Sequence, residues 1–216
     1  MQCSQQSCKP APTICSMPAP PPLILGSTSR YRRELLERLR LPFTCVAPQV
    51  DETPQPGETP AALALRLALA KARAVAALHP QAVVIGSDQV ADLHGQPVDK
   101  PGNHERAAAQ LRQMSGQQVV FQTAVAVVCN TSGFAETALA QVTVQFRELS
   151  DTEIDLYLRL DQPYDCAGSA KSEALGVALL AAIHSDDPTA LIGLPLIRTS
   201  QLLRRAGIDP LAASSP

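Results

Sequence analysis

The sequence predicts an α/β domain built around a mixed β-sheet. Short apolar runs, typical of buried strands, alternate along the chain with longer segments of helical periodicity. One long antiparallel hairpin, predicted over Gln118 to Val128 and Ala135 to Phe146, interrupts this alternation. The chain has 216 residues, of which 45% are hydrophobic, so it can bury a sizeable core. Together these observations favour a mixed sheet over a purely parallel sheet or a helix bundle.

The predicted domain occupies residues 23–211. Residues 1–22 are rich in Pro, Ser, Gln and Cys without periodicity, so we predict a disordered or extended tail, with a second short tail over residues 212–216. No apolar run has the character of a transmembrane helix or a signal peptide, so we expect no membrane partner. The net charge of -2 argues against a nucleic-acid partner. The six cysteines include no CxxC pair, so we expect reduced cytosolic thiols and no structural metal site.

The first strand and the helix after it form a candidate anion site. Leu23 to Leu25 indicate a buried strand, and Ser27 to Ser29 supply hydroxyls suited to capping a helix. Arg32 and Arg33 follow in the first turns of that helix, where the backbone already carries partial positive charge. Free N–H groups, hydroxyls and guanidinium groups at one turn favour a bound anion. The alternative is a capped surface helix with solvated arginines.

The second helix contains a lysine on its apolar face. Thr59 and Pro60 predict a helix that runs to about Leu78. At about 100° per residue, the positions around Lys71 are all apolar, so this lysine lies in the middle of the face that packs on the core. An unpaired ammonium is costly to bury. Lys71 therefore either extends past the apolar face into solvent or contacts an anion in a cleft beneath the helix.

The third strand leads into a candidate ligand site. Ala82 to Gly86 predict a central buried strand, and Asp88 follows at its predicted carboxyl end. Open α/β sheets bind ligands at that end of their strands. A turn or capping aspartate is the alternative interpretation.

The remaining elements follow from local signals. They are a strand over Phe43 to Ala47, a hairpin turn at His94-Gly95, a helix capped by Asn103, a helix opened by the capping box Ser150 to Glu153, a strand near Val177 to Ile183, and a last helix from Leu194-Pro195 to Gly207.

Charged residues on the predicted loops, strand ends and helix starts indicate phosphate chemistry. The common signatures of nucleotide-binding loops, zinc proteases and serine hydrolases are absent. Cations that hold phosphates, with carboxylates that hold Mg²⁺ and activate water, are the components of phosphoanhydride hydrolysis. The candidate cations are Arg32, Arg33, Lys71, Lys100 and Lys171, and the candidate carboxylates are Asp51, Glu52 and Asp88.

Several motifs, in order along the chain, resemble the Maf family of nucleoside triphosphate pyrophosphatases. They are STSxxRRxLL (Ser27 to Leu36), VDET (Val50 to Thr53), the lysine of LxxxKA (Leu67 to Ala72), IGSDQV (Ile85 to Val90), KP (Lys100-Pro101) and CAGSxKSExLG (Cys166 to Gly176). The resemblance implies a two-lobed α/β fold related to the inosine triphosphatases, with the site in the cleft between lobes. It implies a cytoplasmic enzyme that uses Mg²⁺ or Mn²⁺ and cuts a small-molecule nucleotide between its α- and β-phosphates. It is also compatible with a homodimer.

The resemblance implies roles for individual residues. Asp88 matches the family's general-base position, although it could instead be a metal ligand that orients the water. Glu52 matches a conserved polar position and is the second predicted metal ligand. The predicted phosphate-binding residues are Ser27, Arg32, Arg33, Lys71 and Lys100.

The substrate implied by the resemblance depends on three further residues. At these positions the chain resembles the branch of the family that acts on 7-methyl-GTP, with Tyr31, Gln89 and Glu173 at the positions that set specificity. The branch that acts on dTTP and UTP instead carries a threonine after the catalytic aspartate, where this chain has Gln89, and a glutamine in the late loop that contains Glu173. A positively charged 7-methylguanine would gain a cation–π contact with Tyr31, and Glu173 could accept both N–H groups of the guanine edge. Two alternatives are a dTTP and UTP pyrophosphatase and a non-catalytic nucleotide-binding regulator of septum formation.

Overall fold

The computed structural model describes residues 21–212. The predicted tails therefore lie outside the described residues, except for Pro21 and Pro22 at one end and Ala212 at the other. The Pro22 carbonyl accepts a hydrogen bond from the Val83 N–H at 2.9 Å. Hydrogen bonding to the sheet thus begins at Pro22, one residue before the predicted strand.

The described chain forms the predicted mixed sheet. Its strands are β1 (Leu23–Gly26), β2 (Thr44–Cys45), β3 (Val83–Leu93), β4 (Gln96–Val98), β5 (Gln118–Cys129), β6 (Phe134–Phe146) and β7 (Leu180–Ser185). The strand order is β2-β1-β3-β5-β6-β7, with β4 also paired to β3. The pairs that β1 makes with β2 and β3 are parallel, and the other pairs are antiparallel.

Five helices accompany the sheet within residues 21–212. They are α1 (Arg30–Glu37), α2 (Pro60–Leu78), α3 (His104–Met114), α4 (Asp151–Asp161) and α5 (Leu196–Arg205). The predicted caps Thr59, Asn103 and Ser150 are confirmed, since each side chain accepts a hydrogen bond from the first turn of its helix. Two strand predictions differ from the structure. The strand predicted over Phe43 to Ala47 is only two residues long in β2. The strand predicted near Val177 to Ile183 lies later, over Leu180–Ser185, because the residues before Leu180 form a 3₁₀ turn. Among the described residues, none of the helices combines the length and apolar character needed to cross a bilayer.

Alternate residues of β5 serve different cores on the two faces of the sheet. Val125 and Val127 pack with residues of α1 and α5, whereas Ala124 and Ala126 pack with residues of α2. The period of two follows from the pleat of a strand. A third core lies at the other end of the long strands, where α3 and α4 cover the start of β5 and the end of β6. The long strands therefore join two lobes, as the family resemblance predicts.

Helix α2 approaches β3 closely because small residues face it. A Cβ atom added at Gly86 would overlap Ala68 O and lie 2.6 Å from Ala72 N. Gly86 therefore leaves room for the helix backbone at this point of the sheet. This close approach places the α2 residue Lys71 against the neighbouring part of β3.

The prediction that Asp88 ends a strand was wrong. Asp88 lies in the middle of β3, which has 11 residues and remains paired with β5 beyond it. On the opposite edge, β1 pairs with β3 only as far as Gly86, and β4 pairs with it only from Ala91. Residues 87–90 therefore have no strand partner on that edge in the described chain. The polar residues Ser87 to Gln89 therefore lie where one edge of β3 has no neighbouring strand, and not where the strand ends.

Candidate active site

A cleft of about 810 Å³ opens where this edge of β3 is uncovered. One wall comes from the β1–α1 turn, the loop before α2 and α2 itself. The other wall comes from the segment after β4, from α3 and from residues 165–167. Both lobes therefore line the cleft, which is the position that the family resemblance predicts for the site.

Lys71 contacts two carboxylates at the floor of the cleft. Its Nζ donates to Asp88 Oδ1 at 2.7 Å and lies 2.8 Å from Glu52 Oε1. The side chains of Lys71 and Asp88 are 8% and 9% exposed, whereas that of Glu52 is 59% exposed. Of the two arrangements that the helix pattern left open for Lys71, the structure has the contact with an anion.

Asp88 retains a free acceptor. Its Oδ1 is occupied by Lys71, and no described residue donates a hydrogen bond to its Oδ2. A carboxylate oxygen without a protein donor, at the edge of a cleft, can accept a hydrogen bond from water or coordinate a cation.

Arg32 lies beside this pair and is fixed by the loop before α5. Its Nε donates to the carbonyl of Gly193 at 2.9 Å. Burial lowers the pKa of the Arg32 guanidinium, and the nearby carboxylates of Asp88 and Glu52 oppose this shift. A partly desolvated cation at this position can interact strongly with a phosphate.

The turn between β1 and α1 brings Ser27 into the cleft. Ser27 is buried, and its Oγ accepts a hydrogen bond from the Ser29 N–H at 3.1 Å. Ser29 caps α1 by accepting from the Arg32 N–H at 3.4 Å. Lys100 lines the opposite wall, is exposed, and makes no ion pair with any residue that the structure describes. The predicted phosphate ligands Ser27, Arg32, Lys71 and Lys100 therefore line one cleft.

Two predicted site residues lie elsewhere. Arg33 is exposed on the far side of α1, where it pairs with Glu37 at 3.1 Å and does not line the cleft. Glu173 is exposed and has a single weak contact, from Ser172 Oγ at 3.5 Å. Their roles in phosphate and base binding stay predictions. Lys171 is also engaged elsewhere, since its Nζ donates to the Asp161 carbonyl at 2.7 Å.

Tyr31 lies at the cleft and already contacts a cation. The guanidinium carbon of Arg30 is 4.7 Å from the centre of the Tyr31 ring, and Arg30 Nη2 donates to the Tyr31 hydroxyl at 2.7 Å. Partial burial raises the pKa of the Tyr31 phenol, while the hydrogen bond from Arg30 acts in the opposite direction. Arg30 therefore already occupies a cation–π position on this ring, and the contact of a methylated base with Tyr31 stays a prediction.

Sequence reasoning missed other charged residues that line the cleft. Arg106 lies in the first turn of α3, as Arg32 does in α1, and the same signal of a cation at the positive end of a helix could have identified it. Arg30 and Asp165 also line the cleft, but nothing in their local sequence distinguishes them from surface charges.

The carboxylates in the cleft fit a divalent cation. Asp88 and Glu52 both contact Lys71 Nζ, so their oxygens lie close together. Oxygen ligands suit Mg²⁺ and Mn²⁺, and Mg²⁺ usually binds through one or two carboxylates together with substrate phosphates. Among residues 21–212, no group of three or more His, Cys, Asp or Glu is placed to hold an ion. Asp88 and Glu52 are therefore the residues of the cleft that could hold a cation, and the metal stays a prediction.

Cys166 is unsuited to act as a nucleophile beside the cleft. Burial, with the neighbouring Asp165 carboxylate, raises the pKa of its thiol to about 12. Because the thiolate is the reactive form, this shift leaves little of the nucleophile near neutral pH. Of the other cysteines among the described residues, Cys129 is buried and Cys45 is exposed.

Comparison with known proteins agrees with the motifs. The profile of the family described as Maf-like protein matches residues 22–206. A protein of Polaromonas sp. strain JS666, named 7-methyl-GTP pyrophosphatase, is 70% identical over 191 residues, which cover 88% of this chain and 87% of that protein. Proteins of the same name from Bordetella pertussis and Burkholderia pseudomallei are 62% and 58% identical, over 90% and 92% of this chain and 98% and 94% of their own lengths. The chain belongs to the Maf-like protein family.

Proposed function

We propose that the chain hydrolyses 7-methyl-GTP to 7-methyl-GMP and diphosphate. The observation that carries the proposal is the buried ammonium of Lys71 between Asp88 and Glu52 at the floor of a cleft. The names of the close relatives support the choice of substrate. A cytoplasmic location and a homodimer stay predictions of the family resemblance.

The cations are arranged to hold the triphosphate. The negative charge that develops on the departing diphosphate needs donors that are already in place. Arg32, Lys71 and Lys100 supply such donors from three different elements of the fold. Arg32 is prepositioned by its hydrogen bond to the Gly193 carbonyl.

Asp88 is the acceptor for the water. Oxygen from water forms a bond to the α-phosphorus, and the bond from that phosphorus to the bridging oxygen of the β-phosphate breaks. The water proton passes to Asp88 Oδ2, because Oδ1 is already occupied by Lys71. The diphosphate leaves with the bonding electron pair, and the cations neutralise its charge.

A divalent cation completes the proposed site. Glu52 would hold Mg²⁺ or Mn²⁺ together with phosphate oxygens of the nucleotide. In the alternative role of Asp88, its carboxylate would be a second ligand of the cation and would orient the water instead of taking up its proton. The cation would supply further neutralisation of the phosphate charge.

The test is the rate of diphosphate release from 7-methyl-GTP, GTP, dTTP and UTP in the presence of Mg²⁺ or Mn²⁺. We expect kcat/KM for 7-methyl-GTP to exceed that for GTP by about tenfold, the value of one partly desolvated cation–π contact. A preference for dTTP and UTP would instead assign the chain to the other branch of the family. Nucleotide binding without release of diphosphate would support the non-catalytic regulator.

A further inference from the structure

The side-chain amide of Gln89 is held on one side by three acceptors. The two protons on its Nε2 are shared among the carbonyl oxygens of Ala190 and Leu191, at 2.9 and 3.0 Å, and Thr123 Oγ1, at 3.0 Å. Carbonyl oxygens can only accept hydrogen bonds, so the atom that faces them must be the amide nitrogen. The loop before α5 therefore determines which way the amide of Gln89 is turned.

Thr123 strengthens this orientation from β5. Its side chain is fully buried, and its Oγ1 donates to the Ala190 carbonyl at 2.9 Å. A hydroxyl has one proton, so Thr123 presents only a lone pair to Gln89. If the amide were turned over, its oxygen would face two carbonyl oxygens, and Thr123 could donate to it only by giving up its hydrogen bond to the Ala190 carbonyl.

The carbonyl oxygen is therefore the atom of the Gln89 amide that has no partner among the described residues. Gln89 lines the cleft, and no described residue donates a hydrogen bond to its Oε1. Among the described residues, the fully buried side-chain atom without a partner is Asp161 Oδ2, so Gln89 Oε1 retains some exposure to solvent.

We propose that Thr123 is a positioning residue that contributes to base selection by keeping Oε1 of Gln89 turned toward the base. The proposal rests on the function proposed above. Guanine carries N–H donors on its N1 and N2 atoms, whereas thymine has carbonyl oxygens on either side of its single N–H. A fixed acceptor therefore favours the guanine edge and leaves a thymine carbonyl unpaired or repelled.

The variants T123V and T123S separate the hydroxyl from the packing. Valine has a similar shape without the hydroxyl, and serine keeps the hydroxyl without the methyl group. For each protein, kcat/KM is measured with 7-methyl-GTP and with dTTP, and the ratio of the two constants is compared. Because both constants come from one preparation, any loss of folded protein cancels in the ratio.

We expect T123V to lower the ratio about five- to tenfold, the effect of one misaligned hydrogen bond. The loss should appear in KM for 7-methyl-GTP more than in kcat, and T123S should stay within about twofold of wild type. An unchanged ratio in T123V, or an equal loss in T123S, would overturn the role of the Thr123 hydroxyl. A wild-type protein that releases no diphosphate, or that does not favour 7-methyl-GTP, would instead overturn the proposed function and this proposal with it.

Discussion

Replacing Lys71 with methionine is expected to destabilise the fold, because it leaves the carboxylate of Asp88 buried without its partner. At 2.7 Å and an effective dielectric constant of about 20, the two charges attract each other by about 6 kcal/mol. Much of this attraction offsets the cost of desolvating both groups, so breaking the pair should cost about 3 kcal/mol. The contact with Glu52 adds less than about 1 kcal/mol, since that side chain is exposed.

The assay is urea unfolding of K71M, of D88N and of the double variant. The double variant has no buried unpaired charge, so we expect it to be more stable than K71M alone. K100M is the matched control, because Lys100 is exposed and has no ion-pair partner in the described chain. The free energy of unfolding of K100M should stay within about 0.5 kcal/mol of wild type. Equal stabilities of K71M and K100M would refute the reasoning.

Three other predictions concern the packing, the pH dependence and the metal. The substitution G86A should destabilise the chain by about 1–3 kcal/mol and lower turnover, because the added methyl group displaces α2 and with it Lys71; wild-type values in urea unfolding and diphosphate release would contradict this. Hydrogen bonds from the backbone and hydroxyl of Ser150 hold the pKa of Glu153 at about 2, below its ordinary 4.5. The stability that Glu153 contributes is therefore fully present above about pH 4.5 and is lost as the pH falls toward 2. In urea unfolding over that interval, the wild type should lose more free energy of unfolding than E153Q, and equal losses in the two proteins would contradict the assignment. Calorimetry should find that Mn²⁺ binds weakly to the free protein and at least tenfold more tightly when a non-hydrolysable nucleotide is bound, because about one to two phosphate oxygens then become ligands of the metal. Equal affinities with and without the nucleotide would contradict a metal that is held jointly by protein and nucleotide.

Local periodicity was sufficient to predict the position of Lys71. The apolar neighbours of this residue on one helix fix the face that it occupies. The cost of burying an unpaired ammonium left two arrangements open, and the structure was needed to show that carboxylates are the partners. The same reasoning could have separated Arg32 from Arg33, since adjacent residues on a helix point about 100° apart.

The surroundings of Asp88 depend on residues far along the chain. A strand that continues past a polar segment cannot be distinguished locally from one that ends there, because the difference is made by β5, more than 30 residues later. The gap at this edge depends in turn on where β1 stops.

The orientation of Gln89 was also beyond local signals. Its amide is turned by carbonyls of Ala190 and Leu191, about 100 residues later in the chain. Glu173 lies in a segment of turns without periodicity, so sequence alone could not show whether it reaches the cleft.

The most direct test of the account is the turnover of 7-methyl-GTP by D88N. Asparagine keeps the size of the side chain but cannot take up a proton from water at neutral pH. The account predicts that kcat falls by about 10³-fold or more while the nucleotide still binds. A D88N protein that retains more than about a tenth of the wild-type kcat would contradict the assignment of Asp88 as the acceptor of the water proton.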